Sequence, residues 1–259
     1  MTSFGSNTEL RCNIYHGASF EELYKAILKK NITYNIVITG TVAAGKSLRC
    51  DLIKELMLAA DEKHQQKHTN IYPEYITHSD IGDLMLKRCQ DGLITMTTFQ
   101  NYIIDEWANI LAQRPLANIN IFERCPEDGA KIFCVALDDV EKSCITHRLN
   151  KLAARFHIPT FNNKYFLFNE IISDDPIKNI GEMISIMRKD VEEAKDNTFI
   201  NRIFGLRIST EESYNRLKLR ARKAEDALNY SCMKQYVDSY DALYKELMDN
   251  RAKTVSELV

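Results

Sequence analysis

The eight residues Gly40-Thr41-Val42-Ala43-Ala44-Gly45-Lys46-Ser47 have the form G-x-x-x-x-G-K-S, and their surroundings leave few architectures open. The run before them, Tyr34 to Thr39, is apolar and β-prone. After them Leu48, Leu52, Ile53, Leu56 and Met57 recur at helical spacing, which predicts a helix from about Lys46. A strand, a glycine loop and a helix in that order make a phosphate cradle. The glycines let backbone N–H groups turn inward onto phosphate oxygens, and the helix N-terminus adds partial positive charge. Lys46 is placed to reach the outer phosphates and the Ser47 hydroxyl to ligate Mg²⁺. A chance match to the pattern in a chain of this length has a probability of about one in a hundred at average composition. Gly40, Ala43, Ala44, Gly45, Lys46, Ser47 and Leu48 are therefore the candidate cofactor-holding residues.

The remainder reads as alternating strands and helices. Ser19 and Glu22 form a candidate capping box that predicts a helix over 20–29. Strands are expected at 70–73, 119–122 and 203–208, and helices at 97–111 and from Thr210. The segment 133–201 reads as helical on both sides of a Tyr165-Phe166-Leu167-Phe168 run that suits a further strand. In the last helix Met233, Tyr236, Val237, Tyr240, Leu243, Tyr244 and Leu247 make a stripe best explained as core. This pattern predicts an α/β protein, a parallel sheet flanked by helices. No linker rich in Pro, Gly or Ser interrupts the 259 residues, which favours one nucleotide-binding domain over 34–259 preceded by a one-helix extension over 1–33.

Composition narrows the partners. With 34 basic and 36 acidic residues the formal charge is −2, so nothing points to a nucleic-acid polymer or a polybasic membrane anchor. No apolar run approaches the ~20 residues that span a bilayer, and the N-terminus lacks a secretory pattern. A cytoplasmic, or else nuclear, location is expected. The seven cysteines are odd in number and contain no CxxC pair, which predicts reduced thiols.

The class of phosphate chemistry is set by what accompanies the loop. The chain has no NKxD motif of the kind that recognises guanine. The strand 119–122 ends in Glu123-Arg124. A carboxylate there can serve Mg²⁺, and an adjacent guanidinium can neutralise a transferring phosphoryl group. Arg216 and Arg220, four apart, share a helical face, and Arg222 joins them if the helix ends there. Converging guanidiniums supply forked donors to a phosphoryl group whose charge is spreading.

Taken in order, these motifs resemble the deoxynucleoside kinase family, which includes the herpesviral-type thymidine kinases. Tyr72-Pro73-Glu74-Tyr75 is similar to the segment whose Glu acts as base on the 5′-hydroxyl. Phe99-Gln100 is similar to the helix whose Gln pairs with the nucleobase, and Glu123-Arg124-Cys125 to the Glu-Arg-Ser signature. Arg216, Arg220, Arg222 and Glu225, after Ser209-Thr210-Glu211, resemble the arginine-rich lid. The resemblance spans about 34–250 and is weakest over 135–200. Cys89 falls where the family often has a Tyr for the sugar, and Ala130, with Lys131 beside it, where it has an Arg.

The resemblance implies an ATP- and Mg²⁺-dependent kinase acting on the 5′-hydroxyl of a deoxynucleoside, thymidine or another pyrimidine first, and a homodimer. It assigns catalysis to Glu74, Arg124, Arg216, Arg220 and Arg222, with Ser47 and Glu123 at the metal. Substrate binding falls to Glu74, Gln100, Arg124 and Glu225. Two alternatives stay open: a nucleoside-monophosphate kinase with Lys131 in an acceptor clamp, and a kinase-fold binding protein without strong catalysis.

Overall fold

The computed structural model describes residues 4–65, 67–74, 80–134, 136–158, 166–171, 175–220, 225–226 and 228–257, with side chains from residue 16 to 249 except that of Phe166. Its centre is strand β1, Thr33–Gly40, in which every residue after Thr33 is buried. β1 pairs in parallel with β3 (Ile119–Glu123) on one side and β5 (Phe199–Leu206) on the other. β2 (Thr69–Tyr72) extends the sheet beyond β3, and β4 (Phe166–Ile171) beyond β5. The five described strands, in spatial order β2-β3-β1-β5-β4, all run parallel.

The period-2 pleat sorts the strand side chains into two layers. Tyr34, Ile36 and Ile38 of β1, Ile119 and Ile121 of β3, and Phe204 of β5 face one core. That core holds α1 (Phe4–Lys29), α2 (Lys46–His64) and α6 (Pro176–Glu193). Val37, Phe122 and Ile203 face the opposite core, built on α4 (Met96–Gln113), α5 (Asp139–Phe156) and α8 (Tyr230–Glu257). Helices α3 (Asp80–Gln90) and α7 (Thr210–Arg220) lie at the carboxyl end of the sheet, where both contribute to one cavity. Side-chain caps open several helices: Thr95 accepts from the Thr98 N–H at 3.1 Å and Asp138 from the Glu141 N–H at 2.8 Å.

Three sequence expectations need correction in their bounds. The first helix starts at Phe4, so Ser19 and Glu22 sit inside it and do not cap it. They serve another purpose, since Arg188 of α6 donates to the Ser19 carbonyl and to Glu22. Phe20, Leu23, Tyr24 and Ile27 of this helix are buried in the same core as α2 and α6, although they fall within the 1–33 segment read as an extension. The last-named strand runs Phe199–Leu206 and not 203–208. Its polar positions Asn201 and Arg202 hide its strand character; both are buried, bonded to Asn35 and Asp190 respectively. β4 covers most of the Tyr165–Phe168 run, with Tyr165 itself outside the described residues. The six cysteines with described side chains, Cys50, Cys89, Cys125, Cys134, Cys144 and Cys232, are free thiols. No helix among the described residues is long and apolar enough to cross a membrane.

Candidate active site

Parallel α/β sheets leave a crevice beyond the carboxyl ends of their strands, and three neighbouring strands deliver functional groups there. β1 runs into the glycine loop, β3 ends in Glu123 followed by Arg124, and β2 is followed by Pro73 and Glu74. The groups converge on a cavity of about 350 Å³. Among its lining residues are Ala43, Gly45, Lys46, Ser47, Glu74, Gln100, Glu123, Arg124, Arg216, Arg220 and Glu225. Gly40, Ala44 and Leu48 do not line it: Gly40 abuts Leu206 and Ala44, Ala44 is buried in the core, and Leu48 is partly exposed on α2. Arg222 lies outside the described residues.

The loop's shape depends on its glycines. Gly40 has φ 149°, and a Cβ there would come within 2.7 Å of the Leu206 carbonyl oxygen on β5. Gly45, at φ 84°, caps α2, and a Cβ there would strike the Arg49 guanidinium. Lys46 is 4% exposed and donates to the Thr41 carbonyl at 2.9 Å. Burial, with the Arg124 charge added, brings the Lys46 ammonium down to about 8. An anion in the cavity reverses that effect by supplying the charge partner that burial has removed. Beside it the Ser47 hydroxyl donates to Glu123 Oε1 at 2.7 Å.

Arg124 is the most heavily connected side chain of the site. Its backbone is left-handed, at φ 70°, and its N–H bonds the Ile38 carbonyl at 3.0 Å. A non-glycine residue in that region is uncommon and costs on the order of 1 kcal/mol or more. The guanidinium has partners at two of its nitrogens. Nε donates to Glu74 Oε1 at 2.8 Å, and Nη1 donates to the Gly40 carbonyl at 3.0 Å and to the Tyr240 hydroxyl. The Phe133 ring lies 5.2 Å from its central carbon. Burial pulls the Arg124 pKa down, but the facing Tyr240, Glu74, Asp128 and Glu123 outweigh it and keep the group charged.

Asp128 completes this buried set. It accepts from Thr39 Oγ1 at 2.8 and 3.0 Å and from the Cys125 N–H at 2.9 Å. Burial pushes its carboxyl above the ordinary value, against the opposing pull of Arg124. Neither Asp128 nor the Tyr240 hydroxyl stands out in the sequence. Asp128 lies in a turn four residues after Arg124, and Tyr240 has the spacing of a core residue. The stripe on α8 is core, as its periodicity says, yet Tyr240 also holds Arg124 and Tyr236 also lines the cavity.

The end of the cavity away from the glycine loop is mainly apolar. Leu86, Cys89, Met96, Phe99, Phe133 and Tyr236 enclose it, with Gln100 as a polar group between them. Gln100 is buried, and its carbonyl oxygen occupies the space over Gly129, where a Cβ would come within 2.3 Å of it. Its nitrogen faces the Met96 sulfur at 3.6 Å. Ala130 packs against the apolar core, and Lys131 reaches Glu246 on α8 at 3.3 Å and does not line the cavity.

Arg216 and Arg220 are paired within their own segment. Arg216 bonds Glu212, and Arg220 bonds Glu225 through both Nε and Nη2. Glu225, read as a sugar-binding carboxylate, is thus engaged with Arg220. Helix α7 is braced to the loop by the buried Ser213 hydroxyl, which donates to the Val42 carbonyl at 2.7 Å. Leu217 of α7 and Met233 of α8 pack on Val42.

No protein-family model matches this chain, and no curated protein matches it. Among solved structures it is similar to deoxyadenosine kinase from M. mycoides with bound dATP, at 18% identity and TM-score 0.45, covering 83% of this chain and 86% of that one. The same kinase with bound dCTP is 17% identical at TM-score 0.48, covering 82% and 83%. With the products dCMP and dCDP it is 19% identical at TM-score 0.46, covering 82% and 84%. A likeness that distant carries no argument about activity, which rests on the residues around the cavity.

Proposed function

We propose that this protein is a deoxynucleoside kinase, transferring the γ-phosphoryl group of ATP to the 5′-hydroxyl of a deoxynucleoside. The observation that carries the reading is the meeting in one cavity of a phosphate loop, a hydroxyl–carboxylate pair and an ion-paired carboxylate at an apolar acceptor pocket. Lys46 and the loop N–H groups would hold the donor phosphates. Ser47 and Glu123 supply hard oxygen donors suited to Mg²⁺, which needs only one or two protein ligands when phosphates provide others. Such an ion would offset the negative charge of the donor phosphates.

The protein's own groups account for the rest. Glu74 is the candidate base: one of its carboxylate oxygens takes the proton of the 5′-hydroxyl as the 5′-oxygen attacks the γ-phosphorus and the bond from that phosphorus to the β-phosphate oxygen breaks, releasing ADP. Arg124 keeps Glu74 in place through the Nε bond and lends positive charge beside the transferring group. Arg216 and Arg220 would leave Glu212 and Glu225 for the phosphates, releasing Glu225 toward the sugar. Gln100 offers a donor and an acceptor in one plane to a nucleobase edge, pyrimidine first, within the apolar walls.

A neutral acceptor fits better than a monophosphate. The cation that would have clamped an acceptor phosphate, Lys131, is committed to Glu246 away from the cavity. The test is an acceptor panel with ATP and Mg²⁺, read as ADP formed, together with ³¹P NMR of the product. The reading expects a 5′-monophosphate from at least one deoxynucleoside, pyrimidines ahead of purines. ADP formation that ignores every nucleoside would overturn it.

A further inference from the structure

The donors around Arg124 can be counted, and the count singles out one carboxylate. A guanidinium only donates, so Tyr240, receiving Arg124 Nη1, must point its own hydroxyl proton elsewhere. Asp128 Oδ1 lies 3.4 Å away, and the Thr39 hydroxyl, which also neighbours Tyr240, itself donates to Asp128. Asp128 is fixed independently of Arg124, by two contacts from Thr39 on β1 and one from the Cys125 N–H. The line Thr39–Asp128–Tyr240–Arg124–Glu74 therefore runs from a rigid central strand to the carboxylate at the acceptor pocket. Four of its five members, all but Glu74, are buried. Its tyrosine comes from α8, 116 residues after Arg124.

We propose that Asp128, acting through Tyr240, is the positioning residue that sets where the Arg124 guanidinium sits and thereby aims Glu74. Arg124 alone does not fix that geometry. Its Nη1 bond to the Gly40 carbonyl holds one end of the fork and leaves rotation about that contact. The Phe133 ring beneath it constrains height and not direction. Tyr240 accepts from the same Nη1, so the two bonds together set the direction of that nitrogen's hydrogens, and Asp128 draws the Tyr240 proton away from Arg124. Asp128 and Tyr240 do not line the cavity, so their effect on chemistry passes through Arg124. The kinetic part of this inference rests on the kinase reading; the geometric part does not.

Two readouts separate the inference from that reading. The first needs no activity: hydrogen exchange at the Arg124 Nε–H, the proton given to Glu74, is followed by ¹⁵N NMR and assigned by its loss in Arg124→Lys. Tyr240→Phe keeps the ring and removes one hydroxyl, and it is expected to speed that exchange at least about tenfold, as loss of a charge-assisted bond would. Asp128→Asn is expected to do the same, and the double variant to be no faster than the faster single one. The second readout is kinetic: kcat falls about tenfold or more in each single variant while KM for ATP stays within about twofold. Unchanged exchange in Tyr240→Phe, or single effects that multiply in the double variant, would overturn the proposal. If Asp128→Asn melts below the assay temperature, Tyr240→Phe alone decides. A parent that phosphorylates no deoxynucleoside would sink the kinase reading, and the exchange measurement would still judge this one.

Discussion

The glycine loop with its neighbouring strand end, and the arginines of α7 across the cavity, carry the same kind of charge in opposite ways. Lys46 and Arg124 are almost wholly buried and tied to backbone carbonyls of the loop, Lys46 to Thr41 and Arg124 to Gly40. Arg216 and Arg220 have side chains 34% and 39% exposed and bond carboxylates of their own segment. The Arg216–Glu212 pair is partly exposed at both ends and is worth about 1 kcal/mol or less, whereas Glu225 is buried and its pairing with Arg220 is the firmer of the two. Exchanging Glu212 for a phosphate oxygen is therefore cheap, whereas displacing Lys46 or Arg124, or taking Arg220 from the buried Glu225, disturbs buried bonds. The first region is preorganised before any ligand arrives. The second keeps its cations neutralised until one does.

That contrast predicts a ranking of losses. Lys46→Ala should abolish turnover while the melting temperature holds, because the ammonium serves phosphates and its burial is a cost to the fold. Activity within a few-fold of the parent would remove the basis for the ranking. Glu74→Gln should lower kcat by roughly 10²–10⁴ with ATP binding near normal, the range for loss of a general base. An unchanged kcat with a raised acceptor KM would make Glu74 a binding group instead. Arg220→Ala should cost less, about tenfold in kcat, because a second lid arginine remains. A loss as large as that of Lys46→Ala would erase the distinction between cradle and lid.

The smallest effect is a pH dependence of donor affinity. Lys46 in the free protein has a pKa lowered to about 8 by burial and Arg124, and neighbouring phosphates raise it in the complex. Above about pH 8 the free protein has lost a proton that the complex retains. ATP binding should then take up a proton and weaken by up to about tenfold per pH unit. Titration calorimetry at pH 8.5 in buffers of different ionisation enthalpy measures the uptake. No uptake, or the same uptake in Lys46→Ala, would contradict it.

What was legible in the sequence follows the same division. The loop is a local pattern, and its roles depend on backbone geometry that glycine spacing encodes directly. Glu74 and Glu123-Arg124 follow apolar strands, so their placement at the carboxyl edge follows from the α/β pattern. The Asp128–Tyr240 contact joins residues 112 apart, and a tyrosine hydroxyl leaves no mark on the hydrophobic period of its helix. The start of β5 was hidden for a related reason: Asn201 and Arg202 look solvent-facing, yet each finds a buried partner that only the folded sheet brings near. The pairing of Arg220 with Glu225 was within reach, since the two are five residues apart, but sequence assigns no partner to either.

The central claim, that one cavity joins a donor cradle to a neutral acceptor site, is tested most directly by initial rates of ADP formation. These are measured with a deoxynucleoside, its 5′-monophosphate or no acceptor, each at low and moderate salt. With no acceptor-side cation lining the described cavity beyond those assigned to the donor and to Glu74, ADP formation should require the deoxynucleoside. Its KM should stay nearly flat with salt, because a neutral group is not screened. Strong turnover of the monophosphate, with a KM that rises with ionic strength, would contradict the account.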